Sequence, residues 1–128
     1  MQVRDGMSSV VLTIGPGHSL QEAARLMAER NVGAAVVMDP DSPGPGIVTE
    51  RDILRSVAAG EDAFTEMVRD HLTGELISAS PEWSLEQAAD TMIEHGFRHL
   101  LVVDGGELRG VLSMRDIVRS WIRAGVVS

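Results

Sequence analysis

No cysteine occurs among the 128 residues. Disulfides, thiolate-ligated zinc and thiol catalysis are thereby excluded, and a cytoplasmic protein is the reading this fits. Aromatic residues make up only 3% of the chain, too few for a platform on which single-stranded bases stack. Positive charge is also scarce: 11 basic residues against 19 acidic ones leave a net charge of −8 and a pI near 4.8. Nucleic-acid binding draws most of its affinity from clustered Lys and Arg, so this balance argues against it. It equally disfavours an anionic membrane surface. No apolar run approaches the ~18 residues of a transmembrane helix, and Met1-Gln-Val-Arg-Asp5 lacks the apolar region of an export signal.

What is present is ordinary in amount and unusual in arrangement. Hydrophobic residues at 44% and charged residues at 23% suit one compact globular unit. The stretch Gly46-Ile-Val-Thr-Glu-Arg-Asp-Ile-Leu-Arg-Ser56 returns as Gly110-Val-Leu-Ser-Met-Arg-Asp-Ile-Val-Arg-Ser120. Upstream, Val3-Arg4-Asp5 matches Val68-Arg69-Asp70, Pro16 matches Pro81, and Ser19-Leu20 matches Ser84-Leu85. Ala23-Ala24, Met27, Val37 and Asp39 meet Ala88-Ala89, Met92, Val102 and Asp104. The chain is an internal duplication, with one repeat over residues 1–60, a connector over 61–67 and a second repeat over 68–128. A lone domain of about 60 residues is marginal, so the two copies are expected to share their burial in one fused, pseudo-two-fold body.

Each half reads as strand, helix, strand, strand, helix, a mixed α/β (α+β) order. Val10–Thr13 is β-rich and ends in Gly15-Pro-Gly17. Ser19-x-x-Glu22 and Ser84-x-x-Gln87 are helix-start patterns, followed by apolar faces through Leu20, Ala23, Met27 and Leu85, Ala88, Met92. Ala34–Met38 and Leu100–Val103 read as strands buried on both faces. Asp104-Gly-Gly-Glu107 is a hairpin signal, whereas residues 39–45 read as a loose surface loop. The pieces near Val3–Met7 and Val68–Leu72 read as short helices or extended arms.

The repeated motif carries the functional signal. A strand that enters a helix through a hydroxyl residue makes an anion seat, because the first helical N–H groups lack partners. Thr49 with Arg51, and Ser113 with Arg115, supply hydroxyl, N–H and guanidinium for a phosphate. Asp52 and Asp116 each offer a carboxylate to a ribose diol, as acidic residues do in dinucleotide folds. Thr49-x-x-Asp52 and Ser113-x-x-Asp116 also satisfy the pattern of plain capping boxes. Capping leaves Arg51 and Arg115 unexplained, since a cation in the first turn opposes the helix dipole. Arg55 and Arg119 follow the aspartates by three residues and read as ordinary helix pairs. His95 and His99 straddle Gly96 and lack further ligands, so no metal site is expected. His18 and His71 have no partner in sequence and read as surface residues. No Gly-x-Ser-x-Gly elbow, phosphate loop or nucleophile–base set appears, so no enzyme is expected.

The element order, the duplication and the Gly-x-x-[Ser/Thr]-x-x-Asp motif in both halves resemble the tandem CBS-domain pair, or Bateman module, over practically the whole chain. The resemblance implies a stand-alone regulatory module that binds AMP, ADP, ATP or S-adenosylmethionine as a regulatory ligand and requires no cofactor. It further implies clefts that join the motif of one half to the early strands of the other. Asp116 and Ser113 would then face Thr13, Val32 and Ala34, while Asp52 and Thr49 would face Ser78, Phe97 and His99. Arg98 and His99 fall where some nucleotide-binding members carry phosphate contacts; Gly33-Ala34 at the matching position makes the two seats unequal. A homodimer through helices including Ile53, Val57, Ile117 and Trp121 is expected, with an unidentified effector protein. The alternatives are a ligand-independent dimerisation scaffold and, for Ile53 and Ile117, a place in the intramolecular core.

Overall fold

The computed structural model describes residues 1–73 and 78–125. The order expected of each half runs twice. The first copy comprises α1 (Val3–Gly6), β1 (Thr13–Ile14), α2 (Leu20–Arg30), β2 (Ala34–Val37), β3 (Gly46–Thr49) and α3 (Glu50–Ala58). The second begins with a 3-10 turn (Val68–Asp70) and continues with β4 (Ser78–Ala79), α4 (Leu85–His95), β5 (His99–Asp104), β6 (Glu107–Ser113) and α5 (Met114–Arg123). In each copy the first strand pairs in parallel with the second through a helical crossover, and the second pairs antiparallel with the third. Two three-stranded sheets result, ordered β1-β2-β3 and β4-β5-β6. No helix among the described residues is long and apolar enough to cross a membrane.

Local chemistry accounts for most boundaries. The Ser19 and Ser84 hydroxyls accept the N–H groups of Glu22 (3.1 Å) and Gln87 (3.0 Å), which starts α2 and α4. The reciprocal leg expected at Glu22 does not form: its carboxylate takes the Ser19 hydroxyl at 3.3 Å instead, while the Ser19 backbone bridges to Met67. Asn31 and Gly96 end α2 and α4 in the left-handed region. The Gly105-Gly106 turn has positive φ at both residues, as a two-residue hairpin needs, and it lets β5 and β6 run longer than β2 and β3. The first strand sits later than Val10–Thr13 suggests. Pairing begins where the Leu12 carbonyl accepts from Val36 N–H at 2.8 Å, and Leu12 and Ile14 are buried while Thr13 is exposed.

The packing units do not coincide with the sequence repeats. One unit is built from residues 1–10 and the described chain from Ser78 onward; the other holds the described chain from Val11 to Thr73. Each repeat thus gives up its leading arm. Val3, at the head of the first repeat, is fully buried among Leu85, Met92, Leu112 and Ile117 of the second. Val68, at the head of the second, is fully buried among Leu20, Met27 and Val48 of the first. The backbone contacts repeat in kind. Val3 and Arg4 donate to Trp83 (2.7 Å) and Pro81 (3.0 Å), while Val68 and Arg69 donate to His18 (2.8 Å) and Pro16 (3.1 Å). The connector 61–67 is accordingly part of the Val11–Thr73 unit, where Ala63 lines the core and accepts from Gln21 N–H at 3.0 Å.

At the first arm, Arg4 pairs with Glu82 at 2.8 Å. The Glu82 carboxyl is held below the usual carboxylate range by the Ser80 hydroxyl first, then by its own backbone amide and by Arg4. A carboxyl depressed on folding contributes stability above its unfolded value, and the contribution is lost as pH falls through the folded value. The arm contact is therefore expected to hold at neutral pH and weaken under acid. An NMR titration should find Glu82 ionising below an ordinary glutamate, and Ser80→Ala should move it back upward.

The residues expected at a dimer face divide. Ile117 is fully buried in its own unit, and Ile53 and Trp121 pack against the cores of theirs, so Ile117 is no association contact. The amphipathic turn of each helix places it inward. The exposed apolar positions are Leu54 and Val57 on α3, and Val118 and Ile122 on α5.

Candidate functional site

Each unit carries one strand–helix junction built from the repeated motif. In the Val11–Thr73 unit, Thr49 caps α3. The Asp52 N–H reaches the Thr49 hydroxyl (3.4 Å), and Asp52 Oδ2 accepts from the Thr49 N–H (2.9 Å) and hydroxyl (3.0 Å). In the other unit, Ser113 caps α5. The Asp116 N–H donates to the Ser113 hydroxyl (3.0 Å), and Asp116 Oδ2 accepts from the Ser113 N–H (2.9 Å). The capping-box reading of both motifs is thus satisfied in full. Both aspartates are half-buried at the helix start, neither lost in the core nor turned out into bulk solvent.

The strands bring further expected residues to these junctions. Ala34 lies opposite Thr49 in the β2–β3 ladder, and Glu50 N–H donates to the Gly33 carbonyl at 2.9 Å. His99 lies opposite Ser113, and Met114 N–H donates to the Arg98 carbonyl at 2.9 Å. Gly33, Ala34, Thr49, Arg51 and Asp52 therefore cluster at one junction, and Arg98, His99, Ser113, Arg115 and Asp116 at the other. Thr13 and Ser78 sit one strand further away, registered with Val36 and Leu101. Val32 is exposed just before β2. Phe97 is committed elsewhere: its ring packs on the core and stacks on His95 at 5.8 Å between centroids. Arg51, Arg98 and Arg115 are exposed. Arg115 borders an open groove of about 460 Å³ along α5, with Arg119, Arg123, Met114, Val118 and Ile122.

The two junctions differ in how their carboxylates are held. Asp52 Oδ2 takes a third hydrogen bond from the Thr73 hydroxyl at 2.8 Å. Asp116 Oδ1 instead holds the Arg119 guanidinium at 3.2 Å, the helix pair expected; the matching Arg55–Asp52 pair does not form among the described residues. A carboxylate has about four lone-pair sites, so capping occupies part of each and leaves capacity for a further donor. Sequence reasoning missed Thr73. A signal was available, because the duplication sets Thr73 against Ser8, a hydroxyl in both arms.

Comparison with known proteins shows the family and the fold. The CBS domain matches twice, over residues 2–59 and 68–123. A CBS domain-containing protein of Bacillus subtilis, YhcV, is 40% identical over 116 residues, covering 90% of this chain and 81% of that protein. The chain spans only 41% and 36% of longer archaeal relatives. Among solved structures, the CBS-domain protein ATU1752 of Agrobacterium tumefaciens superposes with a TM-score of 0.85 at 32% identity, over 93% of this chain and 92% of that one. The CBS domain protein PAE2072 of Pyrobaculum aerophilum, a complex with AMP, superposes with a TM-score of 0.80 at 30% identity, over 96% and 99%.

Proposed function

Since this chain belongs to the CBS-domain family and carries the domain twice, we propose that it is a cytoplasmic regulatory module that binds an adenosine-containing ligand of the AMP, ADP or ATP class. The observation that carries this reading is the repeated junction. In both copies a capping hydroxyl, an arginine in the first helical turn and a half-buried aspartate occupy the same positions. A phosphate at the helix start would meet the hydroxyl and the guanidinium together at the positive end of the helix dipole, and would offset the arginine that this dipole disfavours. The aspartate would take the ribose diol. The AMP complex of the Pyrobaculum relative supports the same ligand class. No bond is broken in this reading. The ligand acts by binding two states of the molecule unequally, and an effector protein reads the difference. Self-association through the exposed apolar residues of α3 and α5 is part of the proposal.

A second reading, a ligand-independent scaffold, is favoured by one observation: Asp52 Oδ2 is fully engaged by Thr49 and Thr73. Thermal unfolding separates the two. With AMP, ADP, ATP or S-adenosylmethionine at 100 times its dissociation constant, the sensor gains about 2.7 kcal/mol. Asp52→Ala and Asp116→Ala, each referred to its own ligand-free state, should lose that gain at whichever junction binds. If none of the four ligands shifts the transition, the scaffold stands.

A further inference from the structure

We propose that Glu61, Glu66 and His71 form a binding site for a divalent transition-metal ion, with zinc the first candidate. The three contribute one imidazole nitrogen and two carboxylate oxygens, all within 4.8 Å of one another. His71 is not the surface residue its sequence context suggests. Its side chain is only 16% exposed, and Nε2 lies 2.8 Å from Glu66 Oε1. An ion pair between those two explains their contact and nothing more; it does not account for a second carboxylate beside them. Glu61 is brought there by Ser56, the buried polar side chain of the Val11–Thr73 unit (3% exposed), whose hydroxyl donates to Glu61 Oε1 at 2.9 Å. The Glu61 N–H also donates to the Ser56 carbonyl at 3.1 Å. Glu66 is held from its backbone, donating to the Asp62 carbonyl (2.9 Å) and accepting from Leu20 N–H (2.9 Å).

Two carboxylates and one imidazole leave the cluster negatively charged in either protonation state of the histidine, which a divalent cation would neutralise. One nitrogen and two oxygens are borderline donors that suit Zn²⁺, Co²⁺ or Mn²⁺ better than Mg²⁺, which prefers oxygen and water. Three protein donors leave a coordination position for water. The Ser56 hydroxyl on Glu61 is the outer support that metal ligands ordinarily have, which makes Ser56 the positioning residue. The duplication sets Glu61, Glu66 and His71 against Gly125, Met1 and Gly6, which offer neither carboxylate nor imidazole. The site also lies close in sequence to the first junction: two residues after His71, Thr73 grips Asp52. An ion here would fasten the segment that carries Thr73.

The test uses the metal alone, so its failure is distinct from any failure to bind nucleotide. Chelator-treated protein is titrated with Co²⁺, read by its visible absorption, and with Zn²⁺, read by competition and thermal shift. The expected result is one equivalent bound and a raised unfolding temperature. Glu61→Gln and His71→Asn should weaken binding more than tenfold, and Ser56→Ala by roughly 10-fold or more. Glu61 is exposed, so E61Q keeps the test valid if H71N fails to fold. His95→Asn, in the His95–His99 pair outside the site, should bind as the parent does. No uptake at micromolar metal, or uptake that survives E61Q, overturns the proposal.

Discussion

Ile117→Ala is expected to destabilise the protein by about 2–5 kcal/mol while leaving its state of association unchanged. The side chain is fully buried among Val3, Leu85, Leu100 and Leu112, so truncation removes apolar contact and leaves a cavity that the close-packed surroundings fill only in part. Five residues later on the same helix, Ile122 is 53% exposed. Ile122→Ala should stay within about 0.5 kcal/mol of the parent and shift the mass measured by light scattering if α5 is an association face. Urea unfolding and light scattering on both variants provide the check. A stability loss at Ile122 equal to that at Ile117 would contradict the assignment of faces.

Gly110→Ala should cost about 2–4 kcal/mol, combining overpacking with two backbone hydrogen bonds. A Cβ on Gly110 would stand 2.4 Å from the Ser8 carbonyl oxygen. That oxygen belongs to backbone that exchanges two hydrogen bonds with Val111, at 2.9 and 3.0 Å. The clash cannot be relieved by turning a side chain; the arm must leave the sheet. Gly46 is its equivalent in the duplication, and there the nearest atom to an added Cβ is the Leu72 Cδ1 methyl at 3.0 Å. A flexible leucine end can swing aside, so Gly46→Ala should cost less than about 1 kcal/mol. Amide exchange at Ser8 and Val111 should accelerate in the first variant only. Equal losses in the two variants would mean that the arm contact does not carry the stability assigned to it.

The sequence by itself determined what depends on near neighbours. The duplication, the strand and helix order, the two-residue Gly105-Gly106 hairpin and the capping of α3 and α5 by Thr49 and Ser113 were all legible, because propensity, capping and periodicity act over a few residues. The core places of Met27 and Met92 followed from the same periodicity. Half of the candidate site was legible for that reason too, since Thr49–Asp52 and Ser113–Asp116 are contacts three residues apart.

Tertiary structure alone decided the rest. Nothing local distinguishes an arm that packs on its own repeat from one that packs on the other. Val3 and Val68 have the same neighbours in sequence in either case, and only the burial they find on the opposite repeat selects the exchange. The same holds for Thr73 on Asp52, 21 residues apart, and for Glu61, Glu66 and His71, which the turn of the chain after α3 folds onto one another. Long-range pairing is set by which buried surfaces close together. That is a property of the whole packed chain, and no window of its sequence contains it.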